Sequence, residues 1–159
     1  MPLRSIIPTV AIAFVALAVF LVVLWSPERQ TRLHQEHLLA ALSDKNWTRV
    51  ASFIAEDYSD RWGHDKTFVL QATREVFAQF LALELTMQDP VLSARAGTGE
   101  VSARLIAKGS GGPVAQMAID HLQSLPEPFT FRWQKRSWKP WDWTLLRVDH
   151  PTLEIPAEL

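Results

Sequence analysis

The first stretch of the chain is also its most apolar one. Between Ser5 and Trp25 no side chain is charged. As a helix this stretch spans roughly 31 Å, which is the thickness of the hydrocarbon core of a bilayer. Trp25 suits the headgroup region, and Pro27 marks the end of a helix. The pattern predicts a single-pass transmembrane helix that contacts membrane lipid through residues 5–25.

A cleaved signal peptide is the alternative explanation of this apolar run. The small residues of a cleavage site occur inside it at Ala16-Leu17-Ala18, and cleavage there would leave the very apolar Val19 to Leu24 as the new N-terminus. An uncleaved anchor is therefore the favoured prediction. Positive charge is sparse on both sides of the run, so the charge rule hardly decides its orientation. The short segment before the run favours a domain on the extracytoplasmic side.

Three stretches beyond the run repeat apolar residues at helical spacing. The first extends from Gln30 to Leu42, and the second extends from Asn46, a capping residue, to about Ala55. The third begins at another capping residue, Asp65, and is the longest of the three. Its apolar stripe consists of Phe68, Val69, Ala72, Val76, Phe77, Phe80 and Leu81. We predict that this third helix is the main core helix of the domain.

The period of the apolar pattern shortens to two residues after Ala82, which is typical of β-strands. One side of a first strand is predicted to carry Leu85, Met87, Asp89, Val91 and Ser93. The turn signal Gly97-Thr98-Gly99 follows, and apolar residues then alternate from Val101 to Ala107. These features predict a long antiparallel hairpin.

The last third of the chain predicts a helical insert and a second hairpin. Residues 109–113 are rich in glycine, and Val114 to Leu125 then carries a helical stripe of Val114, Met117, Ala118 and Leu122. The segments Phe129 to Lys135 and Trp141 to Asp149 follow as two further strands. The fold class is therefore α+β, with a transmembrane helix followed by two or three helices on a mainly antiparallel sheet.

Length and charge limit the number of domains and the class of partner. After the anchor about 130 residues remain, enough for one ordinary domain. We predict a tail and anchor over residues 1–29, the domain over 30–151 and a C-terminal tail over 152–159. Sixteen basic residues balance seventeen acidic ones, so nucleic acid is not expected as a partner. The chain has no cysteine, which excludes disulfide and thiol chemistry.

Two histidines of the first soluble helix have a spacing that could serve a metal ion. His34 and His37 lie three residues apart, so their imidazoles could meet at one metal. No third ligand accompanies them, and an exposed polar helix face explains them better. We expect no metal and no cofactor.

Four of the seven tryptophans lie within eleven residues near the second hairpin. They are Trp133, Trp138, Trp141 and Trp143, and they are interspersed with Arg132, Lys135, Arg136 and Lys139. The favoured prediction is a tight turn with cations outside and tryptophans filling the core. Contact with lipid headgroups is the second possibility, because indole rings settle there and cations meet phosphates. Stacking on single-stranded nucleic acid ranks last.

The order of these elements resembles the nuclear transport factor 2-like superfamily, the cystatin-like α+β cone. The resemblance covers residues 33–150. Its carriers are the Asn46-Trp47 to Ile54 helix leading into Asp57-Tyr58-Ser59-Asp60, and the ending Phe129-Thr130-Phe131-Arg132-Trp133 with Trp141 to Val148. It implies a bent sheet wrapped around a helix, with a pocket at the open end of the cone.

The resemblance also implies where a site would lie. Catalytic members carry an acid or base and a hydroxyl or histidine partner among apolar walls. The matching loop here offers Tyr58, Asp60 and His64, and its alternative reading is a solvated connecting loop. A further strand-borne acid would have to be Asp89, where an ordinary edge residue is equally plausible. The pocket walls are expected to include Phe77, Phe131, Trp133 and Trp143.

The expected function is a membrane-anchored, non-catalytic binding or accessory module with a small apolar pocket. A lyase or isomerase acting on a small apolar carbonyl compound is the first alternative, with Asp60 as the base. An assembly factor that docks a membrane protein on its open sheet face is the second. A homodimer through the sheet is also compatible with the pattern.

Overall fold

The computed structural model describes residues 3–95 and 97–153, with side chains from Ile12 onward. Within those residues the chain forms five helices and four strands. The helices are α1 (Leu3–Leu24), α2 (Pro27–Ser43), α3 (Trp47–Phe53), α4 (Lys66–Phe77) and α5 (Pro113–Ser124). The strands are β1 (Phe80–Arg95), β2 (Thr98–Gly111), β3 (Phe129–Lys135) and β4 (Trp143–Asp149).

The apolar run forms α1, a helix of 22 residues that ends at Leu24. The chain then bends by 56° into α2, which begins with Pro27 and is capped by the hydroxyl of Ser26. Among the residues searched, from Ile12 onward, no single helix has the length and apolar character to cross a membrane by itself. Ile12–Leu24 and Pro27–Ser43 meet that requirement only as a bent pair.

The main core helix is α2 rather than the helix that begins at Asp65. α2 is the longer of the two, and its buried residues are Gln30, Thr31, Gln35, Leu38, Leu39 and Ala41. Three of these residues are polar, so the apolar pattern of the sequence understates how much of α2 is buried. By contrast, α4 ends at Phe77 and has no buried residue. Phe80 and Leu81, expected on that helix, belong to β1 instead.

The four strands form one antiparallel sheet in the order β1-β2-β3-β4, which confirms both predicted hairpins. A β-bulge interrupts β1, where the register shifts between Gln88 and Val91 and Asp89 has a φ of 50°. Such a bulge reverses the side on which the following residues lie. Met87 and Leu92 therefore face inward, whereas Asp89 and Val91 are exposed. The prediction of one shared side from Leu85 to Ser93 was wrong beyond the bulge.

The predicted helical insert is present as α5, but its buried face differs from the predicted stripe. Ala115 and Ile119 pack with Phe80 and Ala107 in a small cluster on the sheet. Val114 and Met117, expected in the stripe, are exposed. Small Ala115 allows the helix to lie close to Gly111 of β2, and this close contact selects the covered face.

The larger core lies between the inner face of the sheet, α2 and α3. Its buried residues are Leu38, Ala41, Val50, Ile54, Tyr58, Val101, Phe129, Phe131, Trp133, Trp143 and Leu145. After α3 the chain runs beside β4, where the amide of Ala55 donates to the carbonyl of Leu145 at 3.0 Å. Trp133 and Trp143 fill the core as predicted, whereas Trp138 and Trp141 are exposed.

Candidate functional site

A cavity of about 180 Å³ lies between the inner sheet face and the helices α2, α3 and α4. Its walls are almost entirely apolar, and Tyr58, Asp60 and Thr73 supply their polar side chains. The other lining residues are Leu38, Leu42, Val50, Ile54, Trp62, Val69, Leu70, Phe129, Phe131, Leu145, Val148 and Leu153. An apolar cavity with few polar groups is the usual form of a small-molecule site.

The segment from Tyr58 to Asp60 reaches the cavity because it runs extended beside β4. The amide of Ser59 donates to the carbonyl of Leu146 at 3.2 Å, which fixes the segment against the strand. In an extended chain alternate residues point to the same side. Tyr58 and Asp60 therefore both point inward, and they are only 4% and 5% exposed.

Asp60 closes a tight turn with His64. One carboxylate oxygen accepts from the amides of Trp62 and His64, each at 2.9 Å. The other oxygen lies 3.0 Å from Nδ1 of His64, whose side chain is equally buried. Gly63, with a φ of 87°, supplies the left-handed conformation that the turn requires. The carboxylate thus has three protein partners.

The hydrogen bond to Asp60 determines which nitrogen of His64 is available. Because the carboxylate accepts from Nδ1, the lone pair of the neutral ring lies on Nε2. Nε2 is buried and has no hydrogen-bond partner among the described residues. The ring stacks on Phe68 at a centroid distance of 4.0 Å. His64 itself is outside the set of cavity-lining residues, whereas its neighbours Asp60 and Trp62 belong to that set.

The hydroxyl of Tyr58 stays protonated over the physiological pH range. Burial raises the pKa of Tyr58, and the nearby charge of Asp60 adds to this rise. Both effects disfavour the phenolate. Tyr58 can therefore act as a hydrogen-bond donor in the cavity wall, but its phenolate is not an available base at neutral pH.

The structure places one of the four expected pocket residues in the cavity lining. Phe131 lines the cavity. Trp133 lies outside the lining, where its indole nitrogen donates to Oε1 of Gln35 at 2.9 Å, and the indole of Trp143 donates to the carbonyl of Pro140 at 2.8 Å. Phe77 packs against Trp47 at a centroid distance of 5.8 Å. Asp89 is exposed in the bulge of β1, away from the cavity.

Other lining residues were not predicted from the sequence. Val69, Leu70 and Thr73 form the α4 wall, and their spacing of three to four residues is the signal that could have identified them. Leu153 reaches the cavity because the indole of Trp62 donates to its carbonyl at 3.0 Å. No local pattern indicates that contact, since the two residues are far apart in the chain.

Of the two histidines of α2, His34 has structural partners and His37 is exposed. The Nδ1 atom of His34 lies 2.8 Å from the carbonyl oxygen of Gln30, and Nε2 lies 3.0 Å from that of Trp141. Over residues 3–95 and 97–153, no group of three or more potential metal-binding side chains was found.

The chain matches no protein-family model and no curated protein sequence. Its fold does resemble those of solved structures. A Streptomyces avermitilis protein of the nuclear transport factor 2-like family, described as a candidate dehydratase, has a TM-score of 0.58 at 14% identity, over 77% of this chain and 93% of its own. A candidate scytalone dehydratase from Novosphingobium aromaticivorans has a TM-score of 0.53 at 8% identity, over 76% and 79%.

A third similar structure belongs to a longer protein. Bd1075 of Bdellovibrio bacteriovorus has a TM-score of 0.57 at 10% identity over 76% of this chain, which spans 39% of the length of that protein. At these identities the likeness is one of fold. The comparisons confirm the nuclear transport factor 2-like, α+β architecture that the sequence resemblance implies.

Proposed function

We propose that this chain is a membrane-tethered binding module whose cavity holds a small apolar ligand. The observation that carries the proposal is the cavity of about 180 Å³ between α4 and the inner sheet face. A dry apolar cavity of about 150 Å³ is large enough to bind benzene. The ligand class is therefore a molecule of roughly one ring, with at most one polar group to meet Tyr58 or Thr73.

The three hydrogen bonds of Asp60 support a binding role rather than a catalytic one. Three of the about four lone pairs of its carboxylate accept from the amides of Trp62 and His64 and from the imidazole. A general base must have its lone pair within hydrogen-bond reach of the substrate, whereas these three hydrogen bonds direct the carboxylate toward the turn. Here the carboxylate holds the wall of the cavity in place.

Filling the cavity from α4 tests the binding proposal. Val69→Phe adds volume inside the cavity, whereas Val76→Phe makes the same change on the same helix at an exposed position outside the lining. The probe is benzene, followed by ligand-observed NMR with the full chain in nanodiscs. We expect V69F to lose at least tenfold in benzene affinity, and V76F to bind as the wild type does. Equal binding by both variants would show that benzene only partitions into lipid.

The membrane tether is the second part of the proposal, with residues 5–25 in the bilayer and the domain on the extracytoplasmic side. Eight large apolar side chains of α1 are 53% to 72% exposed, and they are Ile12, Phe14, Val15, Leu17, Val19, Phe20, Val22 and Val23. A surface of this kind is stable when lipid covers it. The full chain should stay in the membrane pellet after alkaline carbonate extraction, and its release into the supernatant would contradict the tether.

A lyase or isomerase acting on a small apolar carbonyl compound is the second candidate function. The observation in its favour is the buried pair of Asp60 and His64, with Nε2 of His64 unpartnered among the described residues. In that role Nε2 would remove a proton from the carbon next to a carbonyl, and Tyr58 would donate to the enolate oxygen. His64 would have to turn into the cavity for this step.

Proton exchange separates the two functions. An enzyme of this class should exchange the protons next to the carbonyl of cyclohexanone for deuterium in heavy water, as followed by NMR. His64→Gln should abolish the exchange, whereas His121→Gln, an exposed histidine of α5, should leave it unchanged. Exchange at the buffer rate in the wild type would remove this candidate.

An assembly factor and a homodimer through the sheet both need an outer sheet face that binds protein. That face carries mostly polar and charged side chains, among them Glu84, Glu100, Arg104 and Arg132. Arg132 pairs with Glu100 at 3.2 Å. A membrane protein partner and a homodimer therefore stay predictions; the exposed large apolar residues on the described part of the strands are Leu81 and Val91 of β1.

A further inference from the structure

The turn between β3 and β4 exposes two large aromatic side chains. We call residues 136–142 the indole turn. Trp138 is 83% exposed and Trp141 is 57% exposed. Trp133 within β3 and Trp143 at the start of β4 are buried. Two neighbouring indoles in solvent are unusual on a soluble surface, because each offers a large apolar area to water.

The indole turn lies at the end of the domain where α1 joins α2. Nε2 of His34, in the second turn of α2, lies 3.0 Å from the carbonyl oxygen of Trp141. The side chain of Gln30 donates to the carbonyl of Leu24 at 2.9 Å and so holds the end of α1 against the start of α2. The turn, the joint and the apolar helix are therefore connected by direct contacts.

The height of the turn above the bilayer follows from the helix geometry. His34 comes ten residues after Leu24, and α2 leaves α1 at 56°. For α1 standing along the membrane normal, His34 lies about 8 Å above the end of the apolar helix. The headgroup layer is itself about 5 to 8 Å thick on each side. In that orientation the backbone of Trp141, which contacts His34, lies near the outer edge of the headgroup layer, and its exposed indole can reach the depth where tryptophan accumulates.

The charges of the indole turn also fit contact with a membrane surface. Lys135, Arg136 and Lys139 provide three cations in and beside the turn, and the acids there are Asp142 and Asp57, which pairs with Arg136. Arg136 also fastens the turn to the domain, because its guanidinium donates to Asp57 and to Thr144. This contact with Arg136 holds the pKa of the Asp57 carboxyl below its usual value. Cations next to indoles match anionic phosphates above an apolar layer.

We propose that the indole turn inserts Trp138 and Trp141 into the headgroup layer of the membrane that holds α1, with Lys139 on the lipid phosphates. This inference rests on the proposed tether. It sets the orientation of the domain, because β3 leads from the turn at Lys135 to the cavity at Phe129. The cavity then lies at the end of the domain away from the bilayer and takes its ligand from the aqueous side.

Depth measurements with spin labels test this orientation, and the lack of native cysteine makes the labelling specific. Lys139→Cys places a label in the indole turn, and Glu127→Cys places a matched label at the cavity end, where the residue is exposed. The full chain is reconstituted into vesicles of phosphatidylcholine with phosphatidylglycerol. The accessibility of each label to oxygen and to a water-soluble nickel complex then gives its depth.

We expect the label at position 139 to be at phosphate depth and the label at 127 to be in water. Adding Trp138→Ala and Trp141→Ala should move the label at 139 into water while the chain stays in the membrane. A label at 139 that is aqueous in a chain resistant to carbonate extraction would overturn the orientation but not the tether. Release of the chain by carbonate would instead overturn the tether. Both indoles are exposed, so their removal leaves the core intact.

Discussion

The segment from Tyr58 to His64 shows what can be predicted from single residues. Tyr58, Asp60 and His64 were expected as a group because polar residues close together in the chain can meet without knowledge of the fold. The structure does bring them together, and the turn from Asp60 to His64 is closed by local hydrogen bonds. Whether they serve binding or catalysis depends on the direction of Nε2 of His64, which the sequence does not determine.

Contacts between distant residues explain the part of the site that the sequence did not predict. Trp133 was expected on the cavity wall, but its indole instead donates to Gln35, which is 98 residues away. Gln35 is fully buried, and a buried amide needs a partner of this kind. The residues around Gln35 in the sequence do not indicate that it accepts a hydrogen bond from Trp133 of β3.

Tyr58 offers a direct test of the buried site, because it is the single tyrosine of the chain. Burial raises its pKa above that of an ordinary phenol, which is about 10. The stability that depends on this proton is fully present below about pH 10 and is lost as the pH rises further. In an alkaline titration, phenolate absorbance should therefore appear only together with the loss of circular dichroism.

The control for this titration is Tyr58→Phe, which should show no phenolate absorbance at all. Ionisation of Tyr58 near pH 10 in a chain that keeps its circular dichroism would contradict the buried position. It would also remove the phenol from the set of polar groups available to a ligand.

At the scale of elements, the capping residues were reliable signals and the apolar stripes were not. Asn46 and Asp65 cap α3 and α4 as predicted, because a capping hydrogen bond is local. The stripe of α4 was assigned to the core, but this helix forms one wall of a cavity and stays half exposed. The bulge at Asp89 escaped prediction although Pro90 gave a signal, since proline inside a strand often marks a bulge.

The cap of α4 should contribute more to stability than its exposed position suggests. Oδ1 of Asp65 accepts from the amide of Phe68 at 2.8 Å, and α4 has no buried residue that would hold the helix instead. Asp65→Ala should lower the free energy of unfolding by about 1 kcal/mol. Asp65→Asn keeps an acceptor and should cost only a few tenths of that amount.

Urea unfolding of the two variants measures this difference. Because α4 forms one wall of the cavity, we also expect D65A to bind benzene less tightly than D65N does. Equal losses of stability in both variants would show that the charge of Asp65, rather than the capping hydrogen bond, stabilises α4.

At the scale of the whole molecule, the proposed tether, the indole turn and the cavity lie in order along the domain. β3 has the turn at one end and the cavity at the other, and α2 likewise passes from His34 beside the turn to Leu42 at the cavity. The fold class and both hairpins could be predicted because hairpins and periodicity are local, whereas the pairing of β2 with β3 spans α5 and gives no local signal. The cavity could not, since it is lined by residues from α2, α3, α4, β3, β4 and the segment at Leu153.

The most direct measurement of the central claim is a set of nuclear Overhauser contacts between benzene and methyl groups of the chain in nanodiscs. With labelled Leu and Val methyls, the account predicts contacts to Leu145 and Val148 on the cavity wall, and their loss in V69F. Contacts confined to the methyl groups of α1, unchanged by V69F, would show that benzene sits only in the lipid and would contradict a ligand cavity in the cone.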